Sequence, residues 1–400
     1  MYETLALLAG FAAVYSVIAG RVERSWISGP LVFVAFGLAM GPAGFGFWDS
    51  DVKGEMLSVL AEFTLALVLF TDAAGANLGV LRRISKLPLR LLMIGLPLTI
   101  VLGYGAGWAV LRDLGVFEIA LLATMLAPTD AALGKGVITN ESVPASVREG
   151  LNVESGLNDG ICVPILLLFL ALASGEISGG GAAQRGLTLF IAAVGIGVAC
   201  GAVVSIVGIA LIRLAKRHDW LGTTWIRITV IGLALASFGS AQALGGSGFI
   251  ASFAGGLLFG ALDRSHKQEL LEEAEGIGDT FALLTWVLFG AAFVPAALHD
   301  LTWPVLVYAL LSLTVVRMLP VFLVILGLGA STEAKLFMGW FGPRGLASIV
   351  FAVMVSEAHL PHGPLLSTTV VVTVLLSILM HGVTANPWAR SFGRRAAASS

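Results

Sequence analysis

The sequence predicts an all-α polytopic membrane protein of about 13 transmembrane helices, arranged as two inverted repeats with crossed discontinuous helices. Three observations carry that prediction. The 400-residue chain is 57% hydrophobic and 12% charged, with a mean hydropathy of +0.94. No soluble domain buries so large an apolar fraction. The apolar stretches recur with lengths near 20 residues, which is what an α-helix needs to cross a bilayer. Two of them are interrupted by Pro and a charge, at "APTD" and at "GPRG".

Apolar windows set the elements in order: 3–20, 28–46, 55–79, 88–111, 115–137, 144–173, 186–212, 221–241, 246–262, 276–298, 302–328, 335–357 and 364–388. The first window lacks a basic n-region and is expected to be a retained helix rather than a signal peptide. The pair 221–241 and 246–262 is separated only by "AQALGGSG", so it reads as two full spans or as two re-entrant segments. The tail "ARSFGRRAAASS", 389–400, is short and basic and reads as a cytoplasmic membrane-surface anchor. These 400 residues leave no stretch for a soluble domain.

Loop charge orients the spans. With the N-terminus outside, 17 of the 23 Lys and Arg fall on the cytoplasmic side, including Arg21, Arg24, Arg82, Arg83, Lys86, Arg90, Lys135, Arg148 and Arg264. Only 3, Lys53, Arg112 and Arg185, fall outside, and 3 more, Arg227, Arg317 and Arg344, lie within spans. This asymmetry follows the positive-inside rule, with both the C-terminus and the excess of cations in the cytoplasm. The net charge of −2 gives no basic tract for nucleic acid. Cys162 and Cys200 lie in separate apolar runs and suggest neither a disulfide nor a metal site.

Charges at membrane depth cost on the order of 3 kcal/mol each on insertion scales, so each needs a partner or a function. In "LLATMLAPTDAALGKGV", Pro128 removes a backbone donor, and Thr129 and Asp130 follow it. In "KLFMGWFGPRGLASIVFAVMV", Gly342, Pro343, Arg344 and Gly345 break the helix again, now with a cation. The two broken spans occupy corresponding places in two halves and run in opposite directions, a sequence pointer to a transport site. Their half-helix ends leave partial charges that Asp130 and Arg344 would neutralise. Irregular backbone at this depth is tolerated only where protein or a water-filled cavity satisfies it.

The sixth span carries a polar knot, "NVESGLNDG". Ser155 and Asp159 share one helix face at i, i+4, and Glu154 and Asn158 share the neighbouring one. Gly156 and Gly160 admit a close neighbour. A strip of oxygen ligands suits a hard cation. Asp72 in "VLFTDAAGAN" reads either as an ion ligand or gate or as an interfacial acid. Arg317 is expected to be a counter-charge to an acid on another span. Glu62 and Glu357 read as interfacial or cavity-facing, and His359 and His362 as a solvated outer loop rather than a metal site. There is no HExxH and no Gly-x-Ser-x-Gly, so no enzyme is expected.

"APTDAALG", then "NVESGLNDG", "GPRGLAS" and a final "HGVT", together resemble the monovalent cation:proton antiporter family, and most of all its bacterial sodium/proton exchangers of the Asn-Asp type. The resemblance covers essentially the whole chain and implies the sodium/proton antiporter fold. It implies that Asp159 binds cation and proton alternately, with Ser155, Thr129, Asp130, Asn158 and Asp72 at the ion and proton path. Na⁺ is then expected at Asp159, Ser155 and Thr129, and Glu154 is expected to form a structural ion pair with Arg344. Asn158 stands where electrogenic relatives have a second aspartate, which implies electroneutral 1:1 exchange.

The resemblance further implies a homodimer in the bacterial inner membrane. Residues 1–80 and 186–298 would be the scaffold, and 88–173 and 302–388 the moving core. No cofactor is implied beyond the transported Na⁺ or Li⁺ and H⁺, and the partners are those ions and the lipid bilayer. A K⁺/H⁺ antiporter of the same fold and a cation channel are the alternatives. Two departures stand out: Ala131 follows Thr129-Asp130 where many members have Pro, and Asp72 is the nearest match to a third-span Glu of some members.

Overall fold

A computed structural model of the chain describes residues 2–22, 25, 27–48, 54–75, 86–130, 133, 135–138, 140, 142–175, 182–220, 222–262 and 267–399. Among the described residues the secondary structure is entirely helical. Arg24, Lys53, Arg82, Arg83, Ala131 and Arg264 lie outside them, as do the side chains of Lys135, Arg185, Arg227 and Lys267.

The first half contains α1 (Tyr2–Val22), α2 (Gly29–Met40), α3 (Gly54–Gly75), α4 (Lys86–Val110), α5 (Val116–Met125), α6 (Lys135–Ile138) and α7 (Ala145–Ala173). The second contains α8 (Ala182–Arg217), α9 (Thr223–Ala243), α10 (Gly248–Leu262), α11 (Lys267–His299), α12 (Trp303–Leu313), α13 (Val315–Val324), α14 (Thr332–Trp340), α15 (Leu346–Glu357) and α16 (Gly363–Ser399). Each expected apolar window is matched by a helix or by a pair of half-helices. Among the described residues, eight helices are long and apolar enough to cross a membrane, and five shorter apolar ones accompany them. The fifth window divides into α5 and α6, and the twelfth into α14 and α15.

Local chemistry explains several boundaries. In α4 the amide of Leu96 reaches the carbonyl of Leu91, an i to i−5 bond, so a π turn spans Leu91–Gly95 just ahead of Pro97. Ser331 opens α14 by accepting the Ala334 amide at 3.1 Å. Glu118 folds back on the Gly115 amide at 2.8 Å and caps α5. The polar knot lies in the unbroken α7, flanked by Pro144 as the residue before the helix and Pro164 within it.

The 221–262 region forms the two helices α9 and α10. With 15 residues, α10 is about 22 Å long, shorter than a hydrocarbon core. It packs between α3 and α8 through glycine: a Cβ at Gly256 would meet the Phe70 backbone, and one at Gly201 the Ala251 backbone. Such contacts substitute for the hydrophobic drive that lipid cannot supply.

The C-terminal residues, expected as a short surface anchor, are helical. They continue α16 as far as Ser399. Phe392 is buried and stacks on Phe337 at 4.6 Å, and Arg395 pairs with Glu333 at 2.6 Å. A buried aromatic face therefore ties this segment to α14.

Candidate functional site

Asp130 and Arg344 define the crossing of the two broken spans. After α5 ends at Met125, Pro128 prevents the helix from resuming, and the chain passes without regular structure through Thr129 to Asp130. There it meets the break between α14 and α15. The Asp130 amide donates to the Pro343 carbonyl at 2.8 Å. The Asp130 carboxylate accepts the Leu346 amide at 2.8 Å, at the N-terminus of α15, and the Leu133 amide at 3.2 Å. Arg344 is fully buried and does the converse. Its guanidinium donates to the Ala127 and Pro128 carbonyls, the latter at 3.1 Å, and to Ser312 O at 3.4 Å.

An anion therefore faces the positive end of α15 and a cation faces the negative end of α5. Ser348 joins Met125 O at 2.8 Å and reinforces the crossing. A Cβ at Gly345 would fall on the Asp130 carboxylate, so this approach needs glycine.

The expected Glu154–Arg344 ion pair is corrected. Glu154 is paired with Arg317, bidentately at 2.5 and 2.8 Å, with both side chains 2% exposed. Arg317 packs against Gly342, so its guanidinium reaches α7 past the unwound segment. Arg344 is occupied by the α5 carbonyls, and that geometry leaves the acid to Arg317. The counter-charge expected of Arg317 is thus supplied to Glu154.

Thr129 joins the crossing to the polar knot. Its hydroxyl lies 2.9 Å from Ser155 Oγ and accepts from Asn158 Nδ2 at 2.7 Å. Ser155 and Asn158 therefore work from one side of α7, rather than on the separate faces expected. Two acceptors on this stretch have no hydrogen-bond partner although buried: Asn158 Oδ1 and Asp159 Oδ1. Asp159 is 8% exposed. Orphaned oxygens at such depth are costly and call for a ligand. Asp72 is half-buried on α3, and its backbone faces Gly156 of α7. The Phe253 ring of α10 lies over Gly160, next to Asp159. The oxygen set of carboxylate, amide and hydroxyl groups suits a hard cation and includes a group that can take a proton.

Sequence reasoning missed three residues. His381, Ser377 and Trp340 bind one another around the α14–α15 break, and only the "HGVT" motif hinted at this. His362, expected in a solvated loop, bonds Glu118 of α5 through its amide at 3.2 Å and its ring at 2.8 Å.

A family model described as the transmembrane sodium/hydrogen exchanger matches residues 6–391. A protein named K(+)/H(+) antiporter NhaP2, from Shewanella sp. strain MR-4, is 27% identical over 389 residues, covering 96% of this chain and 66% of its own. The K(+)/H(+) antiporter NhaP of Alkalimonas amylolytica is 24% identical over 390 residues with the same coverage. The chain thus spans about 66% of the length of these relatives. The structure of the sodium proton antiporter MjNhaP1 from Methanocaldococcus jannaschii at pH 8 superposes with a TM-score of 0.78 at 21% identity, covering 98% of this chain and 99% of that one.

Proposed function

Because the chain belongs to the sodium/hydrogen exchanger family, we propose that it exchanges a monovalent cation, Na⁺ or Li⁺, for a proton by alternating access. One observation carries the reading. Of the three acids that meet at the crossing and the knot, Glu154 is committed to Arg317 and Asp130 to the α15 amide, while Asp159 keeps a buried oxygen without a partner. A single such carboxylate holds a cation or a proton but not both. An empty, charged site crosses poorly because of its desolvation cost, and this couples the two movements.

Thr129, Ser155 and Asn158 are the remaining oxygen donors, with Asp72 as an acid on the facing helix α3. The core is 88–173 with 302–388, and it moves against a scaffold of 1–80 and 186–298. The protein is a homodimer in the bacterial inner membrane, as the family resemblance implies, and the asymmetry of its loop cations supports an N-terminus outside. Charge counting favours electroneutral exchange: with Glu154 and Asp130 fixed and Asn158 neutral, only Asp159 changes occupancy.

A K⁺/H⁺ exchanger is the second reading, and the names of the relatives favour it. Reconstituted vesicles with an imposed pH gradient, titrated separately with Na⁺, Li⁺ and K⁺, separate the two. Dissipation by Na⁺ and Li⁺ is expected, with none by the Asp159→Asn protein. Dissipation by K⁺ alone would replace the first reading with the second. Exchange by Asp159→Asn would remove both.

A further inference from the structure

The last helix holds both ends of the unwound segment between α14 and α15. At one end, His381 Nε2 lies 2.8 Å from the Trp340 carbonyl at the C-terminus of α14, which also accepts the Gly342 amide at 2.8 Å. At the other, Ser377 Oγ accepts the Arg344 amide at 2.7 Å. The two contacts are joined within α16, because Ser377 Oγ is 3.2 Å from His381 Nδ1, with the Ser377 carbonyl 2.9 Å from the same nitrogen. Both Ser377 and His381 are buried. Thr384, one turn further on, accepts the Trp340 indole N–H at 2.9 Å. Trp340 and His381 also stack obliquely, with centroids 5.2 Å apart.

Each ring nitrogen faces a carbonyl, Nε2 that of Trp340 and Nδ1 that of Ser377, and a carbonyl can only accept. A proton on Nε2 links His381 to Trp340. Ser377 Oγ, within reach of Nδ1, presents a lone pair to the Arg344 amide and so joins the ring to the other end of the break.

We propose that His381 is a positioning residue for cation exchange. It fixes the distance between Trp340 and Arg344, and thereby the place from which Arg344 caps the α5 carbonyls next to Thr129. This rests on the exchange reading above, with Thr129 at the cation site. It gives "HGVT" a role: His381 and Thr384 hold the carbonyl and the indole of one tryptophan.

The test compares His381→Phe, His381→Gln and Ser377→Ala in reconstituted vesicles, reading half-saturating cation concentration and maximal rate separately. Phe fills the space without a donor, whereas the Gln amide can still donate to the Trp340 carbonyl. His381→Phe and Ser377→Ala are expected to raise half-saturation about tenfold, the equivalent of ~1.4 kcal/mol. His381→Gln should stay within about threefold, about 0.7 kcal/mol on the same scale. Unchanged half-saturation in the Phe and Ala proteins would overturn the proposal, as would equal losses in Phe and Gln.

The tautomer is read independently of transport by solid-state ¹⁵N spectroscopy of histidine-labelled protein. The signal lost in His381→Gln identifies the residue among the 6 histidines. A ring protonated at Nε2 is expected, and protonation at Nδ1 alone would overturn the link to Trp340. If parental vesicles fail to exchange any cation, the exchange reading falls while this spectrum still judges that link.

Discussion

Replacing Glu154 by Gln should damage stability far more than it damages the chemistry of exchange. The substitution keeps volume and one hydrogen-bonding oxygen but removes the negative charge. What remains is Arg317, 1% exposed, lying against Gly342 with Arg344 as its charged neighbour. Parent protein holds two guanidinium groups against one carboxylate there, and the variant would hold two against none. Both partners are 2% exposed, so water screens little of this change. Breaking a buried pair from one side costs about 3–5 kcal/mol, whereas replacing both partners by apolar groups is near neutral. Glu154→Gln and Arg317→Met should therefore each lower the apparent unfolding temperature of detergent-solubilised protein sharply. The double variant Glu154→Leu, Arg317→Met should recover most of the loss, giving a large coupling in a double-mutant cycle closed by the single Glu154→Leu protein. A Glu154→Gln protein as stable as its parent would refute the reasoning. So would a stable Glu154→Gln protein that had lost exchange, since Glu154 would then belong to transport.

Three further outcomes are expected. Gly345→Ala should cost about 1–2 kcal/mol, the range of a lost helix cap, because the new methyl displaces the Asp130 carboxylate from the Leu346 amide; thermal unfolding measures it. Gly160→Ala should slow exchange while the protein still folds, since the contact is the Phe253 ring, and overpacking of this kind costs about 1–3 kcal/mol; initial rates in vesicles report it. An imposed membrane potential should leave exchange rates unchanged, because a net charge per cycle would add roughly 2.3 kcal/mol per 100 mV; a potential-dependent rate would mean that Asp72 or another acid also changes charge.

Much of the architecture is legible in the sequence because lipid imposes few solutions. Apolar runs near 20 residues must be helices, and a proline beside a charge marks the breaks at Pro128 and Pro343, whereas Pro164, Pro295, Pro320 and Pro387 stay inside helices. The polarity of the crossing is legible too: Asp130 and Arg344 are the charges adjacent to the two breaks. The partner of Glu154 is not. Arg317 and Arg344 are both intramembrane cations, and which one meets the acid depends on how the α14–α15 break sits beside α7. Likewise, the face pairing of Ser155 with Asp159 follows from helix periodicity, but the Thr129 contact draws Ser155 and Asn158 together from outside the helix. His381 was hidden because a single buried histidine carries no spacing signal, and its partners are a backbone carbonyl and a serine one turn away. The end of the chain read as an anchor because its three arginines are its only charges, while the residue that packs there is Phe392.

The crossing at Asp130 and Arg344 also differs in kind from the ion pair beside it. Glu154 and Arg317 address each other, so exchanging their identities would at least preserve attraction. Asp130 and Arg344 instead address the ends of peptide helices, whose polarity is set by chain direction and cannot be mutated. An Asp130→Arg, Arg344→Asp exchange would place each charge against a like partial charge, twice over. The two residues are thus a pair without being interchangeable, and no charge-swap rescue is open to them.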